Sequence, residues 1–249
     1  MAHWLVTTLL PTSLFSLRLP AATATAAKSC LAPTPYALKL SLVDAEIRTA
    51  GVNSGMELFD VLKGCEVRIE LPGRLVVTNA LVRVALPFES KVKASERATA
   101  VGEAKRQDQY PFRPSVAFRE FVHFGGPLRV AWTVDGVPAP DQERLLSAWR
   151  RLQWIGKRGS FVMPFPTAVE FGELPRSFSF SVGQAVRDFP VDLILQAHDD
   201  LGPNAQFDRV STYSVQKVRV GIDRLPVFVA FPLRVLRRGR GFTAYGRAV

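Results

Sequence analysis

Residues 65–86 read CEVRIELPGRLVVTNALVRVAL, and inside this stretch the apolar period drops from helical to two. Val67, Ile69 and Leu71 alternate with polar neighbours, Pro72–Gly73 offers a turn, and a β-branched run resumes at Leu75. Such alternation marks half-buried strands, so the spacing predicts a hairpin over 67–86. Upstream, TPYALKLSLVDAEIRTAG (34–51) is helical: Thr34 caps, Pro35 suits the first turn, Leu38, Leu42, Val43 and Ile47 share a face, and Gly51 stops it. A second helix is predicted over SGMELFDVLKG (54–64), where Ser54 and Glu57 have capping-box spacing and Gly64 terminates. HWLVTTLL (3–10) reads as an opening strand and 20–33 as a small-residue loop.

Downstream, residues 88–113 break the pattern, with six basic and four acidic residues and little apolar periodicity. A stretch of that length without regular pattern is usually functional or unstructured, and a thumb-like or mobile insertion is expected there. SVAFREFVHF (115–124) and LRVAWTVDG (128–136) predict a second hairpin about Gly125–Gly126. PDQERLLSAWRRLQWIG (140–156) predicts a helix, with acids in its first turn and Arg150 and Arg151 late. SFSFSV, VDLILQA, SVQKVRVGI and LPVFVAFPL predict strands, and HDDLGPNAQFD (198–208) a loop. Helices between groups of mostly antiparallel strands mean α+β, here a single ferredoxin-like unit over 1–249 with additional C-terminal strands.

The 249 residues carry a net charge of +10, unevenly distributed. Residues 209–249 hold nine Lys or Arg against one acid, Asp223. Charge confined in this way concentrates phosphate polymers or acidic surfaces. Two cysteines, Cys30 and Cys65, lack metal-ligand spacing and do not make a disulfide framework, which suits a reducing cytoplasm. WLVTTLLPTSLFSL followed by ATATAA imitates an export signal, but no Lys or Arg precedes the apolar run, Pro11 interrupts it and Arg18 follows it. No uncharged run approaches the ~20 residues a membrane helix needs, so no membrane association is expected.

Catalytic and metal signatures are weak. His198 beside Asp199 and Asp200 could hold a metal or orient a base, yet a solvated turn explains the triplet more simply. His123 reads as a strand histidine, and RRGRGF lacks the Lys-Ser/Thr end and following helix of a phosphate loop. No cofactor is implied. Binding chemistry is better represented. Arg237, Arg238 and Arg240 alternate with Gly239 and Gly241 ahead of Phe242 and Tyr245. Lys157 and Arg158 lie between glycines ahead of Phe161. A third set, Lys91, Lys93, Arg97, Lys105, Arg106 and Arg113, lies near Tyr110 and Phe112. Glycine lets backbone N–H groups approach a phosphate, arginine offers forked donors, and aromatic rings stack on unpaired bases.

Four segments in order carry a resemblance: LRLPAATATAAKS (17–29), APTPYALKLSLV (32–43), GKRGSF (156–161) and FPLRVLRRGRGFTAY (231–245). Together they resemble the CRISPR-associated Cas-five family of the RAMP superfamily, with Tyr36 where serine is usual. The resemblance implies an RRM-like ferredoxin fold with an inserted thumb at 88–113. It further implies a non-catalytic subunit of a type I Cascade complex that caps the 5′ handle of crRNA. That subunit contacts the large and backbone subunits and, through the complex, target DNA near the protospacer-adjacent motif. Lys28, Lys39, Lys157, Arg158, Arg237, Arg238 and Arg240 would face the handle, and the terminal glycine-rich segment would form a phosphate cradle. Two alternatives stand beside it: a metal-independent pre-crRNA processing ribonuclease using His123 with a lysine of the insert, and an exported β-rich envelope protein.

Overall fold

The computed structural model describes residues 3–20, 28–88, 92–182, 192–211 and 214–248. The β-branched and large apolar residues at the start form β1 (Trp4–Pro11), an inner strand of a sheet in the order β2-β5-β1-β6. Its neighbours are β5 (Leu128–Thr133) and β6 (Val162–Phe171), with β2 (Val67–Glu70) beyond β5. All three pairings are antiparallel. Helices α1 (Pro35–Ala50) and α2 (Val52–Gly64) join β1 to β2, and α4 (Ala139–Arg150) joins β5 to β6. Path and strand order together are those of a ferredoxin-like β-α-β-β-α-β unit, so the α+β expectation holds. An export cleavage near residue 27 would remove β1, one of the two inner strands of this sheet.

The two expected hairpins do not form. At Pro72–Gly73 the chain leaves the first sheet for β3 (Arg74–Pro87), and at Gly125–Gly126 it returns from β4 (Phe112–Phe124). These two strands pair with each other from Leu75↔Phe124 to Pro87↔Phe112, as a long ribbon inserted between β2 and β5. Gly125 is required at the crossing: a Cβ there would lie 2.9 Å from the Arg74 carbonyl oxygen, which its own N–H contacts at the same distance. The ribbon tip holds a short 3₁₀ turn at Ala94–Glu96 and α3 (Arg97–Arg106), where the sequence predicts no element; Ala104 is buried there.

On the other edge of β3 lies β11 (Phe242–Arg247), followed by β10 (Leu233–Gly239), giving the order β10-β11-β3-β4. A third sheet has the order β7-β9-β8, from β7 (Phe180–Ser181), β8 (Ile194–Leu201) and β9 (Arg224–Phe231). α5 (Phe207–Val210) is a single turn whose Phe207 meets Phe59 edge-on at 5.7 Å. β8 runs through the expected HDD loop, whereas 214–222 forms no strand among the described residues. Pro164 and Pro166 hide β6 from a sequence reading, and they are tolerated because it is an edge strand.

Leu38, Leu42, Leu58 and Leu62 are fully buried between the helices and the first sheet, each contributing about 2 kcal/mol. Polar groups in this core are matched. Thr7 accepts from the Trp132 indole N–H at 3.0 Å and donates to the Val130 carbonyl at 3.1 Å. Glu70 on β2 takes Arg129 at 2.9 Å and Arg247 at 3.1 Å, clamping the first sheet to β11. α2 departs from its expected cap: Ser54 donates to Glu46 at 2.6 Å, and Gly51 occupies the cap position.

Candidate nucleic-acid interface

Segments 17–19 and 28–30 run side by side, with the Leu19 N–H donating to the Lys28 carbonyl at 3.1 Å and the Cys30 N–H to the Leu17 carbonyl at 2.7 Å. Just ahead of them, Phe15 exchanges both backbone bonds with Val122 of β4. Two clefts flank this pair of segments. The larger, about 460 Å³, includes Arg18, Tyr36, Trp154, Lys157, Arg158, Asp199 and Arg224 in its wall. The smaller, about 380 Å³, includes Lys28, Glu120, Arg238, Phe242 and Tyr245.

The larger cleft is built from three elements. Thr34 caps α1 by accepting from the Ala37 N–H at 3.2 Å, which sets Tyr36 in the first helical turn. The turn after α4 is shaped by Gly156 at φ +72° and by the Gly156 N–H donating to Ser41 Oγ at 3.3 Å; this brings Lys157 beside the helix. Third-sheet residues Asp199 and Arg224 close the floor through their ion pair, and the Arg224 guanidinium stacks 5.0 Å from the Tyr36 ring centre. Burial lowers the Lys157 pKa, and Arg119 and Arg18 push it down further. Among the described residues no carboxylate neutralises Lys157, Arg158 or Arg119. Cations held this close repel one another, and an anion between them relieves that repulsion.

The expected terminal cradle is instead a hairpin. Gly239 pairs with Phe242, Arg240–Gly241 is the turn, and Gly241 takes φ +88°. Strand pleat therefore puts Arg237 and Arg238 on opposite faces. Arg238 shares the inner face with Thr243 and Val77 and lines the smaller cleft. Arg237 turns outward, 5.9 Å from the Phe242 ring centre, and Arg240 stands exposed at the turn.

The sequence-predicted cations thus divide. Lys157 and Arg158 meet in one cleft, Lys28 and Arg238 in the other. Lys39 belongs to neither: it is 1% exposed and bonded to Asp200 at 2.7 Å, a strut between α1 and β8. Lys93, Lys105 and Arg106 are exposed at the ribbon tip, Arg113 is half-buried on β4, and Lys91 lies outside the described residues. Several C-terminal cations counted from sequence also have internal duties. Arg219 bonds the fully buried Asp223, whose carboxyl it holds far below the usual range. Arg224 bonds Asp199, and Arg247 bonds Glu70. Arg18 and Arg119 escape a reading of the sequence; the only signals for them are an arginine on the short segment before the loop and one beside Glu120 on β4.

Among the described residues the histidines do not assemble an acid–base pair with a lysine of the insert. His123 is exposed on β4 opposite Val76, near the body end of the ribbon, while Lys93 and Lys105 sit at its tip. Eleven residues from Phe112 to His123 correspond to about 36 Å of strand. His198 is buried, with Nε2 3.3 Å from Gln196, and burial lowers its pKa to about 4. Asp199 and Asp200 are committed to Arg224 and Lys39. Among the described residues no group of three or more His, Cys, Asp or Glu could hold a metal, and no helix is long and apolar enough to cross a membrane.

No family model matches this chain. A CRISPR-associated protein Cas5 from Archaeoglobus fulgidus is 25% identical over 229 residues, covering 89% of this chain and 90% of that protein. The crystal structure of a CRISPR protein from Archaeoglobus fulgidus aligns over 99% of this chain and 100% of its own, with TM-score 0.42 and 14% identity. A chain of a CRISPR RNA-guided surveillance complex aligns over 66% of this chain and 60% of its own, with TM-score 0.39 and 16% identity. The sequence match runs nearly end to end in both proteins and agrees with the resemblance carried by the four segments: this chain is similar to a CRISPR-associated protein Cas5 along almost its whole length.

Proposed function

We propose that the chain is a non-catalytic, RNA-binding subunit of a type I CRISPR surveillance complex. In this reading it binds and caps the 5′ handle of crRNA, with the large and backbone subunits as its protein neighbours and the insertion at 88–113, at the end of the ribbon, as the thumb. The supporting observation is the pair of clefts about segments 17–19 and 28–30, where cations stand beside aromatic rings. Lys157 and Arg158 with Trp154 on one side, and Lys28 and Arg238 with Tyr245 on the other, combine phosphate donors with stacking surfaces. Residues of the paired segments line both clefts: Leu17 and Arg18 in the larger, Leu19, Lys28 and Ser29 in the smaller.

Binding of repeat-derived RNA to the purified chain, measured across a salt series, tests this reading. Affinity should fall steeply with salt. Lys157→Ala with Arg158→Ala should flatten the logarithmic slope by about 1.4, or about 0.7 for each phosphate no longer neutralised. An affinity independent of salt would sink the proposal. With chelator present the RNA should remain full length; shortened products would favour processing instead.

A further inference from the structure

The wall of the larger cleft includes a residue with an acceptor that nothing among the described residues uses. Asp199 is 2% exposed; one carboxylate oxygen takes the Arg224 guanidinium, while the other, Oδ1, is buried without a hydrogen-bond partner. A buried carboxylate oxygen left without a donor is costly, and the cost is recovered when a ligand supplies one. Asp199 lies in the same cleft wall as Tyr36 and Trp154, with Lys157 and Arg18 also in that wall. About 460 Å³ is room for one nucleotide, and the wall holds a stacking surface, cations for its phosphate and a carboxylate for its base edge.

Resting on the RNA-binding reading, we propose that this cleft receives a single unstacked nucleotide and reads the exocyclic amino group of its base through Asp199. Adenine, cytosine and guanine each carry such an amino group on the pairing edge. Uracil instead presents a carbonyl on either side of its one ring N–H, and those oxygens face a carboxylate unfavourably. The cleft therefore discriminates against uracil, where the other cations bind any sequence alike. The Arg224–Asp199 pair fixes the carboxylate's orientation, and Arg224 is itself packed on Tyr36; Oδ1 is covered, so the base reaches it as a neighbouring side chain gives way.

The decisive measurement leaves the protein unaltered. Equal-length oligomers of adenosine, cytidine, uridine and purine riboside are bound to the full chain at one salt concentration. Purine riboside is adenosine without the amino group, so stacking is nearly unchanged and the comparison isolates a single hydrogen bond. Adenosine should bind about tenfold more tightly than purine riboside, and cytidine should exceed uridine similarly. Equal affinity for all four oligomers overturns the amino-group inference while leaving RNA binding intact. No binding to any of them overturns both. Asp199→Asn gives a second check: a folded variant, verified by its thermal transition, should bind adenosine and purine riboside alike, and a retained preference would count against Asp199.

Discussion

The body of the molecule and the tip of its ribbon both carry cations and use them differently. In the body, charges are held by packing: Lys39 is buried against Asp200, Arg224 is fixed between Asp199 and Tyr36, and Lys157 is crowded by Arg119 and Arg18. At the tip, Lys93, Lys105 and Arg106 are exposed, the last two on a helix with one buried side chain, Ala104. Exposed cations attract a polyanion through a screened field, whereas positioned ones form specific, oriented bonds. The count of charges in a segment therefore says less than the backing behind each.

The contrast breaks most sharply at Lys39. Lys39→Ala should destabilise the chain by about 3–5 kcal/mol, because Asp200 is left charged and unpaired near the core. Urea unfolding would show it; a loss comparable to that of Lys105→Ala would mean that the strut carries no weight. His198 gives the next largest effect. Its folded pKa is about 4, below the ordinary 6.5, so as pH falls the unfolded chain takes up the proton first. Stability is whole above pH 6.5, declines towards pH 4 and is flat in this contribution below that, a total of about 3 kcal/mol. His198→Leu should remove that part of the pH dependence, and an unchanged profile would show that another group is responsible.

Binding effects are smaller and sharpen the comparison directly. Lys157→Ala with Arg158→Ala should weaken RNA binding about tenfold at moderate salt, and Lys105→Ala with Arg106→Ala by about twofold in the isolated chain. The reverse order would move the interface to the ribbon. The least change is expected within the C-terminal hairpin: Arg238→Ala should cost about threefold and Arg237→Ala almost nothing. Equal losses would restore the continuous cradle that the strand pleat divides.

Much of the architecture is legible from residue order. Thr34, Pro35 and the Leu38, Leu42, Val43 face specify α1 through local rules alone, and the alternation at 67–71 and 75–86 specifies strands. What local rules do not contain is pairing. Val67–Leu71 and Leu75–Leu86, joined by Pro72–Gly73, have the pattern of a hairpin, yet they enter different sheets. The same occurs at Gly125–Gly126. A turn signal records that the chain changes direction, not which strand it then meets. That depends on burying both faces of several elements at once.

For the site, residue types are legible and their roles are not. Glycine, charge and aromatic spacing single out GKRGSF, and the structure places its Lys157 and Arg158 in a cleft. Lys39 enters only through the family resemblance, and Arg219, Arg224 and Arg247 only through the concentration of charge after residue 209. Yet Lys39 is a buried strut, and Arg219, Arg224 and Arg247 are internal partners of Asp223, Asp199 and Glu70. The sequence by itself determined the α+β class, helices α1, α2 and α4, and the concentration of positive charge, because these follow from composition and short-range periodicity; the family resemblance rests instead on the four quoted segments. Tertiary structure alone decided which cations face outward, because burial and ion pairing join residues as distant as Lys39 and Asp200, and those contacts set whether a charge is free for a ligand or already taken.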